Sequence, residues 1–188
     1  MKAGVPARCA DRGGRSGRLR VQFAAMRGDR GVAMVEFALI MIPFFVILFG
    51  IFEVGLVFWG SYELENATEE AARQIRTGQI QGGGGAAAFK QQVCNRVVLL
   101  SRCNADLRVN VRNFNDYQDA YTPPEPLDEQ GALKGDVFDP GGPRSIVLVS
   151  TYYRWPLLNA LSSFSLSNMA GGARLLSASA AFRNEPFP

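Results

Sequence analysis

The chain has 188 residues, no histidine and a net charge of +3. Without histidine it lacks the usual general base of Ser-His-Asp and Cys-His hydrolases, so enzyme classes start from a weak position. The net charge averages two opposite regions: residues 1–31 hold Lys2 and seven arginines against Asp11 and Asp29, a balance of +6, while the remainder carries −3.

Residues 1–30 are rich in Gly and Arg and too poor in apolar side chains to fold alone. Basic charge beside a membrane span reports orientation rather than nucleic-acid binding, which places the N-terminus in the cytoplasm and the rest outside it. A start at Met26 instead of Met1 would leave a compact leader, and the sequence leaves that choice open. The tripeptide Arg27-Gly28-Asp29 matches an adhesion motif and is read as coincidence in this context.

Residues 31–62, GVAMVEFALIMIPFFVILFGIFEVGLVFWGSY, organise the chain. From Val32 to Trp59 the only ionisable residues are Glu36 and Glu53, and residues 37–52 carry no charge. At about 1.5 Å per residue this helix is roughly 42 Å long, against a hydrocarbon core of about 30 Å. The run is too long for a cleaved secretory signal, and bulky residues follow it where a small-x-small site is required. Pro43 removes one backbone donor within the helix. Phe58, Trp59 and Tyr62 fall where an outer interfacial belt is expected, with Glu53 at the same headgroup depth as a second boundary carboxylate.

The helix is predicted to continue to about residue 80, with Leu64, Ala67, Ala71 and Ile75 on one face and Glu69 placed to meet Arg73. The four glycines of residues 82–85 are expected to stop it. Residues 86–102 then read as an amphipathic helix through Phe89, Val93, Val97 and Leu100. Cys94 and Cys103 form a plausible small-loop disulfide in an oxidising compartment, provided the chain leaves the helix near Ser101. A metal site is weakly supported, since only two cysteines lie outside the leader.

Alternation at Leu107, Val109 and Val111 predicts a strand. Residues 115–143 hold five of the ten prolines and give no core pattern. Their carboxylates, Asp116, Asp119, Glu125, Asp128, Glu129, Asp136 and Asp139, read as a solvated surface rather than a catalytic pair. Residues 145–155 predict a central strand ended by Pro156, residues 157–169 are ambiguous, and residues 174–182 predict a last strand. The expected fold is α+β: a long N-terminal helix, a second amphipathic helix and a three-stranded antiparallel sheet. The expected domains are a basic leader over 1–31, a membrane helix with its extension over 32–81, and a small exported domain over 82–188.

A carboxylate at the edge of an apolar helix needs an offsetting partner, and a cut after Gly31 would supply one in the new α-amino group of Val32, four residues from Glu36. A basic leader ending in Gly, an apolar residue next, Glu five positions on and an aromatic after it resemble the processing site of type IV pilins and pseudopilins. Residues 31–55 followed by ENATEEAARQIRTGQ resemble the TadE-like family of the tight adherence (Tad, Flp-type) pilus system, and FRNEP at residues 182–186 is similar to that family's ending. The resemblance implies a pilin-like fold and a minor pilin or pseudopilin in a bacterial inner membrane, without catalytic residues or cofactor. Gly31 and Val32 would be the cleavage pair of a prepilin peptidase, and Glu36 and Phe37 the recognition and assembly residues. Its partners would be that peptidase, other pilin subunits, the Tad inner-membrane platform and lipid. The alternative reading is a signal-anchored envelope protein, uncut at Gly31, whose exported domain binds a partner.

Overall fold

A computed structural model of the chain describes residues 29–80, 84–120, 124–157 and 166–187, with side chains from residue 31 onward. The chain divides into two compact units, Met1–Met41 and Ile42–Pro188. The described part of the first is residues 29–41 of helix α1, Asp29–Arg76. The second holds the rest of α1, helices α2 (Gly85–Cys94), α3 (Cys103–Asp106) and α4 (Tyr117–Ala120), and strands β1 (Leu107–Phe114), β2 (Val137–Phe138), β3 (Ile146–Pro156) and β4 (Ala173–Arg183).

Helix α1 ends earlier than residue 80, and not at the glycine run. Gly78 takes φ +77, a left-handed value that glycine adopts without penalty. Its N–H bonds the Ile75 carbonyl while the Gln79 N–H reaches back to Gln74, the paired bonds of a Schellman stop. Two of the four glycines, residues 82 and 83, lie outside the described residues. The second helix is also shorter than residues 86–102. It stops at Cys94, where the N–H groups of Asn95 and Arg96 bond Gln91 and Val93. The next free amides, Val98 and Leu99, find a better acceptor in the Glu63 carboxylate at 3.1 and 3.0 Å. A side chain of α1 thus draws the backbone out of helical geometry well before Ser101.

The sheet has four strands in the order β2-β1-β3-β4, not three, and it is mixed. β1, β3 and β4 are antiparallel neighbours, as the alternation predicts, with Val111 opposite Val149 and Val149 opposite Ala180. β2 adds a parallel pair, Asn110 with Val137 and Val111 with Phe138. Two residues are too few to show a period of two, so this strand has no signature in sequence. What holds it is Asp136, which accepts the Val109 N–H at 2.8 Å and the Lys90 ammonium at 2.9 Å.

The core lies between α1, α2 and one face of the sheet. Leu64, Ala67, Ala71 and Ile75 are buried, as their spacing predicts, together with Thr68 and Ala72. They face Leu107, Val109 and Val111 of β1, Val147, Val149 and Tyr153 of β3 and Leu176 of β4, joined by Phe89 and Val93 of α2 in one cluster. Alternation buries these strand residues because successive side chains of a strand point to opposite faces. One polar contact crosses the core: the hydroxyls of Thr68 and Thr151 are 2.7 Å apart, and neither residue has any exposed surface. The expected Glu69 to Arg73 pair does not form. Arg73 instead meets Glu70 at 3.4 Å, and Arg96, beyond α2, approaches the same Glu70 oxygen at 3.8 Å.

Candidate functional site

The candidate site is the N-terminal part of α1. Helix α1 is described from Asp29 onward, and the Gly31–Val32 peptide bond lies within it. Val32 is 58 % exposed and Phe37 63 %. Glu36 is exposed and lies four residues beyond Val32, one helical turn along the same face. No ion pair joins Glu36 to any described residue.

From Val32 to residue 56 the helix shows large apolar side chains all round. Leu39, Ile40, Ile42, Phe44, Ile47, Phe49 and Ile51 are each more than half exposed. A helix apolar on every side belongs in a protein core or in lipid. By length and composition it can cross a membrane, with a mean hydropathy of 2.6 in its most apolar stretch and none of that stretch buried within the protein. This is a candidate single-pass membrane anchor. Glu53 is half-buried on it, and Phe58, Trp59 and Tyr62 are exposed just beyond.

Below the aromatic cluster the helix becomes the spine of the second unit. Gly60 marks the change: a Cβ there would sit 2.7 Å from the Trp155 ring of β3, so glycine is what lets the strand approach. Cys94 and Cys103 are joined, with Cα atoms 5.5 Å apart, closing the loop between α2 and α3. The loop brings Arg102 beside Tyr153. Burial pushes the Tyr153 hydroxyl above its usual 10.0, reinforced by the Asp106 carboxylate and opposed by the Arg102 backbone and charge.

The C-terminal FRNEP is where sequence reasoning noted a signature without giving it a task. Arg183 bonds the Arg144 carbonyl at 2.9 Å. Asn184, only 3 % exposed, donates its amide to the carbonyls of Pro140 and Gly142. The Glu185 N–H bonds the Arg76 carbonyl at the end of α1, and the carboxylate stands 3.3 Å from the Arg76 guanidinium. Phe187 then lies against Gly78, 2.7 Å from where a Cβ would be. The tail therefore seals the end of α1. The clue in sequence was Gly78, which leaves room for a ring.

In its described part the acidic loop uses several of its carboxylates to hold neighbouring backbone and side chains. Asp128 caps the N–H groups of Gln130 and Ala132, Asp116 takes the Tyr117 N–H, and Asp139 bonds Asn113. Among the described residues no three His, Cys, Asp or Glu side chains gather as a metal site.

No curated protein and no solved structure matches the chain. Residues 31–73 match the family model of TadE-like protein, so the matched stretch lies on α1, from the Gly31–Val32 step through the apolar stretch to the part of the helix that packs on the sheet.

Proposed function

We propose that the protein is a minor pilin or pseudopilin-like component of a Tad pilus, held in a bacterial inner membrane with its N-terminus in the cytoplasm and the domain after residue 60 in the periplasm. The observation that carries this reading is the TadE-like match over residues 31–73, because it spans Gly31, Val32, Glu36 and Phe37 on one helix. The basic charge of residues 1–31 supports the orientation.

In this reading a prepilin peptidase cuts between Gly31 and Val32. The new ammonium of Val32 and the Glu36 carboxylate then stand one turn apart, within one chain or between neighbours, and neutralise each other where charge is costly. The apolar circumference of α1 packs beside lipid or other pilin helices on the Tad platform, and the protein contributes to pilus assembly and adhesion without catalysis.

The test is co-expression with a prepilin peptidase and mass spectrometry of the N-terminus. The expected mature chain begins at Val32, and Gly31→Phe abolishes the cut. An intact N-terminus, or a cut beyond the apolar run, overturns the reading in favour of an uncut envelope anchor. Glu36→Ala is expected to leave membrane insertion normal and to block pilus assembly.

A further inference from the structure

The loop closed by Cys94 and Cys103 carries NRVVLLSR between its cysteines. Leu100 is buried in the core, and Val97 and Leu99 pack against it. Val98 is 85 % exposed, more than any large apolar side chain of the spanning stretch. One exposed valine needs no explanation in itself. Its position does.

Glu63 sets that position, because its carboxylate accepts the N–H groups of Val98 and Leu99. Glu63 follows Tyr62 directly and lies about 6 Å along the helix from Trp59. Helix side chains lean toward the N-terminus of their own helix, here the membrane end. The carboxylate therefore holds the tip back toward the aromatic cluster. A second observation agrees: one hollow of about 420 Å³ is lined jointly by Trp59, Tyr62 and Glu63 of α1 and by Arg96 of the loop. The loop thus stands alongside the exposed rings that mark the end of the span.

The loop is also suited to a layer poor in water. The N–H groups of Asn95 and Arg96 bond α2 carbonyls, those of Val98 and Leu99 bond Glu63, and those of Ser101 and Cys103 bond within the loop. Unpaired donors, which are costly there, are kept few. Arg96 and Arg102 are exposed on either side of the tip, with apolar stems that suit a headgroup layer. Their charges already face Glu70 at 3.8 Å and Asp106 at 3.4 Å, so charge does not select the occupant. Depth does.

We propose that the Cys94–Cys103 loop is a second membrane contact, with Val98 set into the headgroup layer of the bilayer beside Trp59 and Tyr62. This rests on reading α1 as a membrane anchor. The occupant is lipid because a bilayer crossed by α1 already reaches Trp59 and Tyr62, and Glu63 holds the tip within about one helical turn of them. A single helix leaves the domain free to swivel about the helix axis. A second contact off that axis fixes which side of the domain faces along the membrane.

The test places the photoreactive residue benzoylphenylalanine at single positions of the full chain in nanodiscs of phosphatidylethanolamine and phosphatidylglycerol, and reads lipid adducts by mass spectrometry. Leu39 reports the span, Val98 the tip and Tyr117 the far end of the domain. Tyr117 follows the end of β1, where Phe114 pairs with Ile146 and Ile146 with Arg183. Two residues on, Glu185 bonds Arg76, about 24 Å along α1 from Gly60. Adducts are expected at Leu39 and Val98 and none at Tyr117. Adding Glu63→Ala should abolish the Val98 adduct and keep the one at Leu39. Lipid on Leu39 but not on Val98 overturns the proposal and leaves the anchor standing, whereas no lipid on Leu39 overturns both. The proposal also falls if Val98 crosslinks to a second chain in place of lipid, if Tyr117 labels equally, or if Glu63→Ala leaves the Val98 adduct unchanged.

Discussion

Helix α1 is one continuous element with two different chemistries. Before residue 57 its large apolar side chains point in every direction and are exposed, whereas from Val57 to Ile75 the buried residues recur every three or four positions and the opposite face carries Glu65, Glu69 and Arg73. Both halves are helical, so helix formation does not distinguish them. What differs is the solvent each half is written for. The second half has a sheet to bury one stripe against, and the first half has no such stripe, the pattern of a helix suited to an apolar medium on all sides.

The sharpest way to break this comparison is to remove the same side chain from each half. Leu64→Ala empties a fully buried position and is expected to lower the stability of the folded domain by about 2–5 kcal/mol. Leu39→Ala, in the exposed half, is expected to leave that stability unchanged. Urea unfolding in detergent, followed by near-UV signals of Tyr153 and Trp155, reads both. Equal losses would show that residues 32–56 pack within the fold.

The next effect belongs to the loop that ties α2 to α3. Breaking the Cys94–Cys103 link with Cys94→Ser frees a loop of sequence separation 9, and about 2–3 kcal/mol of domain stability should be lost. The same loss should follow from reducing agent on the unmutated chain and be absent in Cys94→Ser treated likewise. A variant as stable as the parent would mean that Glu63, through Val98 and Leu99, already fixes this segment.

A smaller effect tests how the second half of α1 is registered on the sheet. Thr68→Val leaves the Thr151 hydroxyl buried without its partner, at a cost of about 1–3 kcal/mol. Adding Thr151→Val removes the orphan and should restore much of the loss. If the double variant is no more stable than the single one, the two hydroxyls act independently and the contact does not set the register.

The same contrast explains what could be read from sequence. The apolar run, the stripe at Leu64, Ala67, Ala71 and Ile75, and the strands around Val109, Val149 and Ala178 are periodic, and periodicity is a local property of the chain. β2 was not legible because two residues have no period, and its place depends on Asp136 meeting a strand that precedes it by more than twenty residues. The end of α2 was misplaced because a carboxylate from α1, remote in sequence, captures the amides that would have continued the helix. In the candidate site, Gly31, Val32, Glu36 and Phe37 could be placed on one helix from local spacing. The contacts of Asn184 and Phe187 could not, since they join the C-terminal tail to Pro140, Gly142 and Gly78.

The smallest effect separates adjacent carboxylates that sequence spacing ranked the wrong way round. An i, i+4 rule selects Glu69 as the partner of Arg73, but Glu70 lies closer and also faces Arg96 from beyond α2. Glu70→Gln should therefore cost about 0.5 kcal/mol, the scale of an exposed ion pair, and the loss should shrink as salt is raised. Glu69→Gln should cost nothing measurable. The reasoning is geometric: Glu69 points to solvent, whereas Glu70 lies on the edge of the buried stripe formed by Ala67 and Ala71, where the segment after α2 returns to the helix. Should Glu69→Gln prove the more damaging change, the rotation of this half of α1 about its own axis is wrong, and with it the assignment of which stripe the sheet covers.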